Sequence, residues 1–393
     1  MLDENAVHEH VRGICFKTGP PGLVGVEAEW LIHDLGAAGT RVPLRRLAAA
    51  VEAAHPLPEG SLVTYEPGGQ LELSTPARPG PAAAHHALAA DLRHLDRHLA
   101  DAGLTRDGCA LDPRPVARRQ LTDQRYVAME SYFDSFGPAG RAMMCSTASL
   151  QVCLDIGHDE EQARARWRLL HRLGPVLLAA FANSPLWRGR LTGWRSTRQA
   201  IWQALDPSRV TPVASGGGDP WTAWARYALD GRVMAVRRND GPWKVNPGLR
   251  FRDWLRDGLD GGPTLDDLTF HLSTLFPPIR PRGWLELRMI DALPEPWWPV
   301  PVAVAATLAD DPVAADRCAE AVEQLPPGRW TQAARQGLAD RALAAAALGS
   351  FTAARDALRH AEPALASLVD RYIERYVEPG RCPADDLISE VRT

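Results

Sequence analysis

The most restrictive stretch of the chain is Tyr65-Glu66-Pro67-Gly68-Gly69-Gln70-Leu71-Glu72-Leu73-Ser74. Proline fixes φ and glycine tolerates φ > 0, so Pro67-Gly68-Gly69 reads as a turn. Leu62 to Tyr65 before it and Leu71 to Ser74 after it read as two short strands. Successive strand residues face opposite ways. Leu71 and Leu73 therefore share one face, and Gln70, Glu72 and Ser74 share the other. The hairpin predicts Glu72 on a polar sheet face with Glu66 at its mouth.

The same pattern occurs upstream. In Val24-Gly25-Val26-Glu27-Ala28-Glu29-Trp30, Glu27 and Glu29 point the same way, roughly 6.7 Å apart along the strand. A third strand, Gly283 to Ile290, carries Glu286 and Arg288 on one face and Leu285, Leu287 and Met289 on the other. A solvated antiparallel face would also carry carboxylates at this spacing. Three such strands in a chain otherwise rich in apolar residues point instead to a cation that neutralises them, because buried carboxylates are costly unless paired. Oxygen-only ligands favour Mg²⁺ or Mn²⁺ over zinc.

Charge narrows the partners. The 393 residues include 44 basic and 48 acidic side chains, a net charge of −4. That argues against nucleic acid as the main partner, since duplex binders carry a clear basic excess. No run of about 18 apolar residues predicts a membrane span. The first residues, Met1-Leu2-Asp3-Glu4-Asn5, lack a basic segment followed by an apolar one, so the expected location is cytoplasmic. Six scattered cysteines, without a C-x-x-C pair, predict neither a zinc site nor a disulfide framework.

Along the chain, periodicity predicts a strand at 23–33, a helix at 44–54, the hairpin, and a helix at 81–102. A strand at 108–111 and a helix at 125–133 follow. A strand within 143–156 has an apolar back and a polar front carrying Gln151. Then come a helix at 158–181, an Arg/Trp-dense stretch at 187–211, and a strand at 233–238 ending in Arg237-Arg238. A helix at 265–275 bears His271. From about 296 the sequence is Ala/Leu-rich helix. Arg198 suits bidentate capture of a carboxylate or phosphate, with Trp202 as a pocket wall.

These pieces resemble the glutamate–cysteine ligase family, in the branch shared by plant enzymes and the actinobacterial enzymes of ergothioneine biosynthesis. The resemblance rests on Gly25 to Glu29, Glu66 to Ser74, Met143-Met144 with Thr147, Gln151-Val152, Arg198 with Trp202, His271 to Pro277, Arg280, and Leu285 to Arg288. They fall in order over residues 23–298. The resemblance implies an α+β, glutamine-synthetase-like fold: an antiparallel sheet curved into an open half-barrel and flanked by helices. Residues 1–393 would form a single catalytic domain with a mainly helical C-terminal flank at 296–393, as a monomer or weak homodimer.

The implied reaction uses ATP and Mg²⁺, with Mn²⁺ as the alternative. It joins the γ-carboxylate of glutamate to the amine of cysteine through an acyl phosphate. Glu27, Glu29, Glu66, Glu72 and Glu286 would hold metal. Arg198 would clamp a glutamate carboxylate, and Arg288 and Arg237 would neutralise phosphate. Gln151 would meet substrate or a metal-bound water, and His271 reads as structural. Relatives usually carry Asn where this chain has Cys153, which leaves that position's role open. Three other readings stand beside this one: a ligase of the same fold with another amine or acid, a non-catalytic nucleotide or amino-acid binder, and a nucleic-acid binder, the last disfavoured by charge.

Overall fold

The computed structural model describes residues 2–37, 39–114, 118–258 and 261–392. Ten strands are assigned among them: β1 Leu23–Asp34, β2 Leu62–Tyr65, β3 Leu71–Ser74, β4 Arg78–Pro79, β5 Leu104–Asp107, β6 Ser149–Asp155, β7 Leu186–Trp187, β8 Arg190–Leu191, β9 Ile279–Pro281 and β10 Trp284–Asp291. Eight of them form one open sheet in the order β2-β3-β1-β6-β10-β9, with β4 and β5 pairing onto the ends of β1. All of its pairings are antiparallel. β7 and β8 form a separate ribbon.

Alternation decides which face of the sheet is buried. Val24, Val26, Ala28 and Trp30 of β1, Leu71 and Leu73 of β3, and Leu150, Val152 and Leu154 of β6 all lie in the apolar core. Leu285, Leu287 and Met289 of β10 join them. The helices Gly80–Asp101, Glu160–Ala180 and Pro299–Asp310 pack on this side. Each fully buried aliphatic side chain contributes roughly 1.5–3 kcal/mol. The opposite, polar face is covered by a second apolar group on helices Gln124–Asp134, Ala139–Ser146 and Thr197–Gln203, including Met129, Met143, Met144 and Trp202.

Local signals explain the main elements. The helix Leu44–Ala54 buries Leu47, Ala50, Val51 and Ala54, a 3.6-residue repeat. Asp159 caps the helix Glu160–Ala180 by accepting from the backbone N–H of Gln162. Thr264 and Asp267 form a reciprocal capping box on Leu265–Ser273. The C-terminal helices share the main core, which extends to Val377, and Tyr372 Oη donates to the Ala180 carbonyl at 2.8 Å.

Three sequence expectations shift. The strand expected at 108–111 lies at Leu104–Asp107. A Cβ on Gly108 would fall 2.4 Å from the backbone of Pro294, so the chain turns there instead of extending the ladder. The polar-fronted strand begins only at Ser149, because Met143 to Ser146 are buried in succession at the end of a helix. No strand forms at 233–238. Val233, Met234 and Ala235 are buried one after another, and pairing there is limited to the bridge between Ala235 and Lys244. Among the described residues no helix is long and apolar enough to cross a membrane.

Candidate active site

Strand register assembles the polar face. Glu29 of β1 lies directly opposite Glu72 of β3. Glu27 lies opposite Ser74 on one side and Gln151 on the other. Directly opposed residues share a face, with Cβ atoms about 5 Å apart. One carboxylate oxygen from each of Glu27, Glu29 and Glu72 can be chosen so that all three lie within 4.8 Å of one another. Glu66, on the hairpin turn, lines a cavity together with Glu27 and Glu29. Gly68 of that turn sits so close to Cys145 that a Cβ would fall 2.2 Å from its carbonyl oxygen, and Gly69 has φ +90°. The turn therefore needs both glycines to seat Glu66.

These carboxylates are held where their charged forms are disfavoured. Burial, then repulsion from Glu29 and Glu27, pushes the Glu66 carboxyl up to about 8. Burial with Glu27 and Glu66 nearby pushes Glu72 up to about 10. Burial also raises Glu27 and Glu29. Neutral donors compensate only in part: Ser149 donates its N–H and hydroxyl to Glu29, both at 2.9 Å, the Gln151 amide donates to Glu27 and Glu29, and the Thr64 hydroxyl donates to Glu72. This chemistry fits a hard divalent cation, which would relieve repulsion that the protein's own hydrogen bonds leave in place.

Beside the carboxylates lies a positive zone. Arg280 Nε donates to Glu286 at 2.6 Å, Arg288 Nη1 approaches the same carboxylate at 2.9 Å, and Arg282 lies 3.5 Å away. Burial pushes Glu286 up, but the guanidiniums of Arg280 and Arg288 outweigh it and hold the carboxyl at about 2. Glu286 is thus ionised and engaged by arginine. The carboxylates within 4.8 Å of one another are those of Glu27, Glu29 and Glu72; of the five expected ligands, Glu66 and Glu286 both lie outside that group. For Glu286 the strand position is the reason: across β6 it faces Cys153, one polar row away from Glu27.

Gln151 joins the two zones. Its Nε2 donates to Glu27 and, at 3.4 Å, to Glu29, while its Oε1 accepts from Arg288 at 2.5 Å. Arg198 is buried and donates to the Arg288 carbonyl at 2.9 Å. Its Nη1 lies 3.6 Å from Asp291. Asp291 in turn accepts from Ser184, Ser196 and the Asn183 backbone.

A cavity of about 270 Å³ opens over this face, with Arg125, Arg198, Arg280, Arg282 and Arg288 in its walls beside Glu27, Glu29 and Glu66. Met143, Met144, Trp202 and Phe276 close its apolar side. A second cavity of about 330 Å³ shares Glu27 and is lined by Gly25, Thr75, Cys153, Trp284 and Glu286.

Residues 23–392 match the family described as glutamate-cysteine ligase family 2 (GCS2). The chain belongs to this family. It is 43% identical to the glutamate–cysteine ligase EgtA of Mycobacterium tuberculosis, over 100% of this chain and 91% of that one. To EgtA of Mycolicibacterium smegmatis it is 44% identical, over 97% and 90%. A chloroplastic glutamate–cysteine ligase of rice is 31% identical over 59% of this chain and 48% of its own. Among solved structures, a glutamate–cysteine ligase from Francisella tularensis in complex with AMP superposes with TM-score 0.56 at 13% identity, over 96% of this chain and 86% of that one. A bifunctional glutathione synthetase from Pasteurella multocida gives 0.51 at 16% identity; this chain spans 99% of itself and about half (52%) of that larger protein.

In this member of the family, the structure brings together Glu27, Glu29, Glu66, Gln151, Arg198, Trp202 and Arg288 around one cavity, with Glu72 in the carboxylate group. Arg237 is not brought there. It is exposed, donates to the Asp266 carbonyl at 2.8 Å and lies over the Phe270 ring, because its segment does not join the sheet. His271 is buried against Phe251 and bonded to the Ala228 carbonyl, a structural placement. Sequence reasoning assigned no site role to Arg125, Arg280, Arg282 or Ser149. Arg280 and Arg282 alternate with Pro281 just ahead of β10, and Arg280 lies opposite Glu286. Reading 279–281 as a strand would have revealed them, but the flanking prolines masked that signal.

Proposed function

We propose that the chain is an ATP-dependent ligase that joins the γ-carboxylate of L-glutamate to the amine of L-cysteine, giving γ-glutamylcysteine, ADP and phosphate. The observation that carries this reading is the convergence of Glu27, Glu29 and Glu72 of one sheet face and Glu66 of the hairpin turn beside five arginines. Phosphoryl transfer between two anions needs charge neutralisation and alignment more than a nucleophilic side chain. Glu27, Glu29, Glu66 and Glu72 would hold Mg²⁺ or Mn²⁺, which would offset the repulsion between the triphosphate and the attacking carboxylate. We assign Glu286 instead to orienting Arg280 and Arg288.

Arg198, anchored through Asp291, holds a carboxylate of glutamate against the floor of the first cavity. Gln151 fixes Arg288 relative to Glu27, so that the phosphoryl group passes between the two zones. The glutamate γ-carboxylate oxygen attacks the γ-phosphorus and ADP leaves. The neutral cysteine amine then attacks the acyl carbon, the bond from that carbon to the bridging oxygen breaks, and phosphate departs with that oxygen and takes up the proton lost from nitrogen. The methionines and Trp202 keep water from the acyl phosphate. The nucleotide base is assigned to the second cavity, beside Trp284 and Cys153. This arrangement of one open antiparallel sheet, with catalytic groups on one face and helices on the other, is read as glutamine-synthetase-like.

The test is ADP release by the purified protein in the presence of Mg²⁺. Release that requires both glutamate and cysteine is expected. Turnover with 2-aminobutyrate but not cysteine would reassign the amine, and no turnover with any amino-acid pair would overturn the ligase reading.

A further inference from the structure

We infer that the chain carries a second small-molecule site, an effector pocket for an organic anion with an apolar body, behind the helix Thr197–Gln203. A cavity of about 840 Å³, roughly three times the volume of the carboxylate-lined one, lies between the helix Glu160–Ala180, that helix, the segment 207–216 and the loop 322–331. Pro212, Val213, Leu325, Pro326 and Trp330 supply apolar walls.

Its charge is one-sided. Arg168, Arg172 and Arg329 line it, and no Asp or Glu does among the described residues, although acids outnumber bases 48 to 44 in the chain. Arg329 is paired with Asp340, and Arg172 donates to the Val322 and Glu323 carbonyls. Arg168, one helical turn before Arg172, is exposed and has no carboxylate partner among the described residues. His171 stands in the same wall; its Nδ1 is 2.8 Å from the Trp167 carbonyl, and its Nε2 has no protein partner. An apolar cleft with an unneutralised guanidinium at its edge recognises an anion attached to a hydrophobic body.

The pocket is mechanically joined to the catalytic cavity. On the helix Thr197–Gln203, Arg198 faces the catalytic cavity, Gln199 and Gln203 face the pocket, and Trp202 lines both. Gln199 Nε2 donates to the Met289 carbonyl at 3.2 Å and Arg198 to the Arg288 carbonyl at 2.9 Å. The helix is therefore tied to adjacent residues of β10, and an occupant that shifts Gln199 or Trp202 re-aims Arg198. Such coupling is reciprocal and commonly changes affinity roughly 5- to 150-fold.

The experiment titrates the intact protein with 8-anilinonaphthalene-1-sulfonate by fluorescence, with and without saturating ATP and glutamate. One saturable site is expected that survives both substrates, is weakened about tenfold by Arg168→Glu, and is retained by Arg168→Lys. Bound probe should change the Kd for glutamate severalfold, and glutamate should change the probe's Kd by the same factor. Complete displacement by either substrate, or equal probe affinity in Arg168→Glu, would overturn the site. An unchanged glutamate Kd at saturating probe would overturn the coupling. The binding measurements stand apart from the ligase reading, so a protein inactive with every amino-acid pair still tests the pocket.

Discussion

Glu72 shows how one side chain can be strained in the absence of its ligand. Held at about 10 by burial and by Glu27 and Glu66, it is protonated at neutral pH in the metal-free protein. Glutamine is then a near-isosteric replacement for it. The substitution Glu72→Gln is expected to leave the metal-free Tm unchanged while cutting Mg²⁺-dependent turnover by on the order of 100-fold or more. It should also abolish the rise in Tm on adding Mg²⁺. Near-normal turnover would remove Glu72 from the metal site. His271 illustrates the opposite shift. Burial, with Arg209 nearby, depresses its imidazole to about 3, so the folded state holds it neutral while the unfolded chain protonates it near 6.5. Stability is therefore complete above that pH and is lost as pH falls toward the folded value. Between pH 7 and pH 5 the loss amounts to about 2 kcal/mol. His271→Gln keeps a donor for the Ala228 carbonyl and removes the titration. Denaturant unfolding at the two pH values should show the wild type losing about 2 kcal/mol more than the variant, and equal losses would refute the assignment.

At the scale of elements, two helix caps of similar design have different consequences. Thr264 caps Leu265–Ser273 at the surface, with an exposed bond to Asp267. Ser196 caps Thr197–Gln203 and also donates to the buried Asp291 at 3.0 Å. Both alanine substitutions are expected to cost about 1 kcal/mol of unfolding free energy. Ser196→Ala should in addition raise the glutamate KM severalfold, because the helix it starts carries Arg198. Thr264→Ala should leave KM unchanged. Equal KM values for both variants would mean that the seat of Thr197–Gln203 does not govern Arg198. The same contrast explains the sheet. β1 has partners along its whole length and presents two of the carboxylates, whereas the 233–238 segment has no adjacent strand and contributes nothing to the face.

At the scale of the whole molecule, the C-terminal helices belong to the same core as the sheet. Val300, Val302, Val304 and Leu308 are buried in the cluster that includes Val152 and Leu287, and Tyr372 is bonded to Ala180. Removing residues 312–393 would uncover the helices Glu160–Ala180 and Pro299–Asp310. The truncated chain is expected to be insoluble or to lack a cooperative thermal transition. A soluble, cooperatively unfolding truncation would show that the region folds as a separate unit.

What the sequence determined by itself was periodic. Alternation at 23–33, 71–74, within 143–156 and at 284–290, with the Pro-Gly-Gly turn, placed Glu27, Glu29, Glu72, Gln151 and Arg288 on the polar sides of their own strands, because strand geometry fixes side-chain direction locally. The family motifs lie on those same strands. Tertiary structure decided the rest: register put Glu29 against Glu72 but set Glu286 a row away, where arginines claim it. Arg125 entered the cavity from a helix folded over the sheet, and Arg237 was left outside because its segment found no strand to pair with. Those outcomes depend on contacts between residues far apart in the chain, which no local pattern encodes.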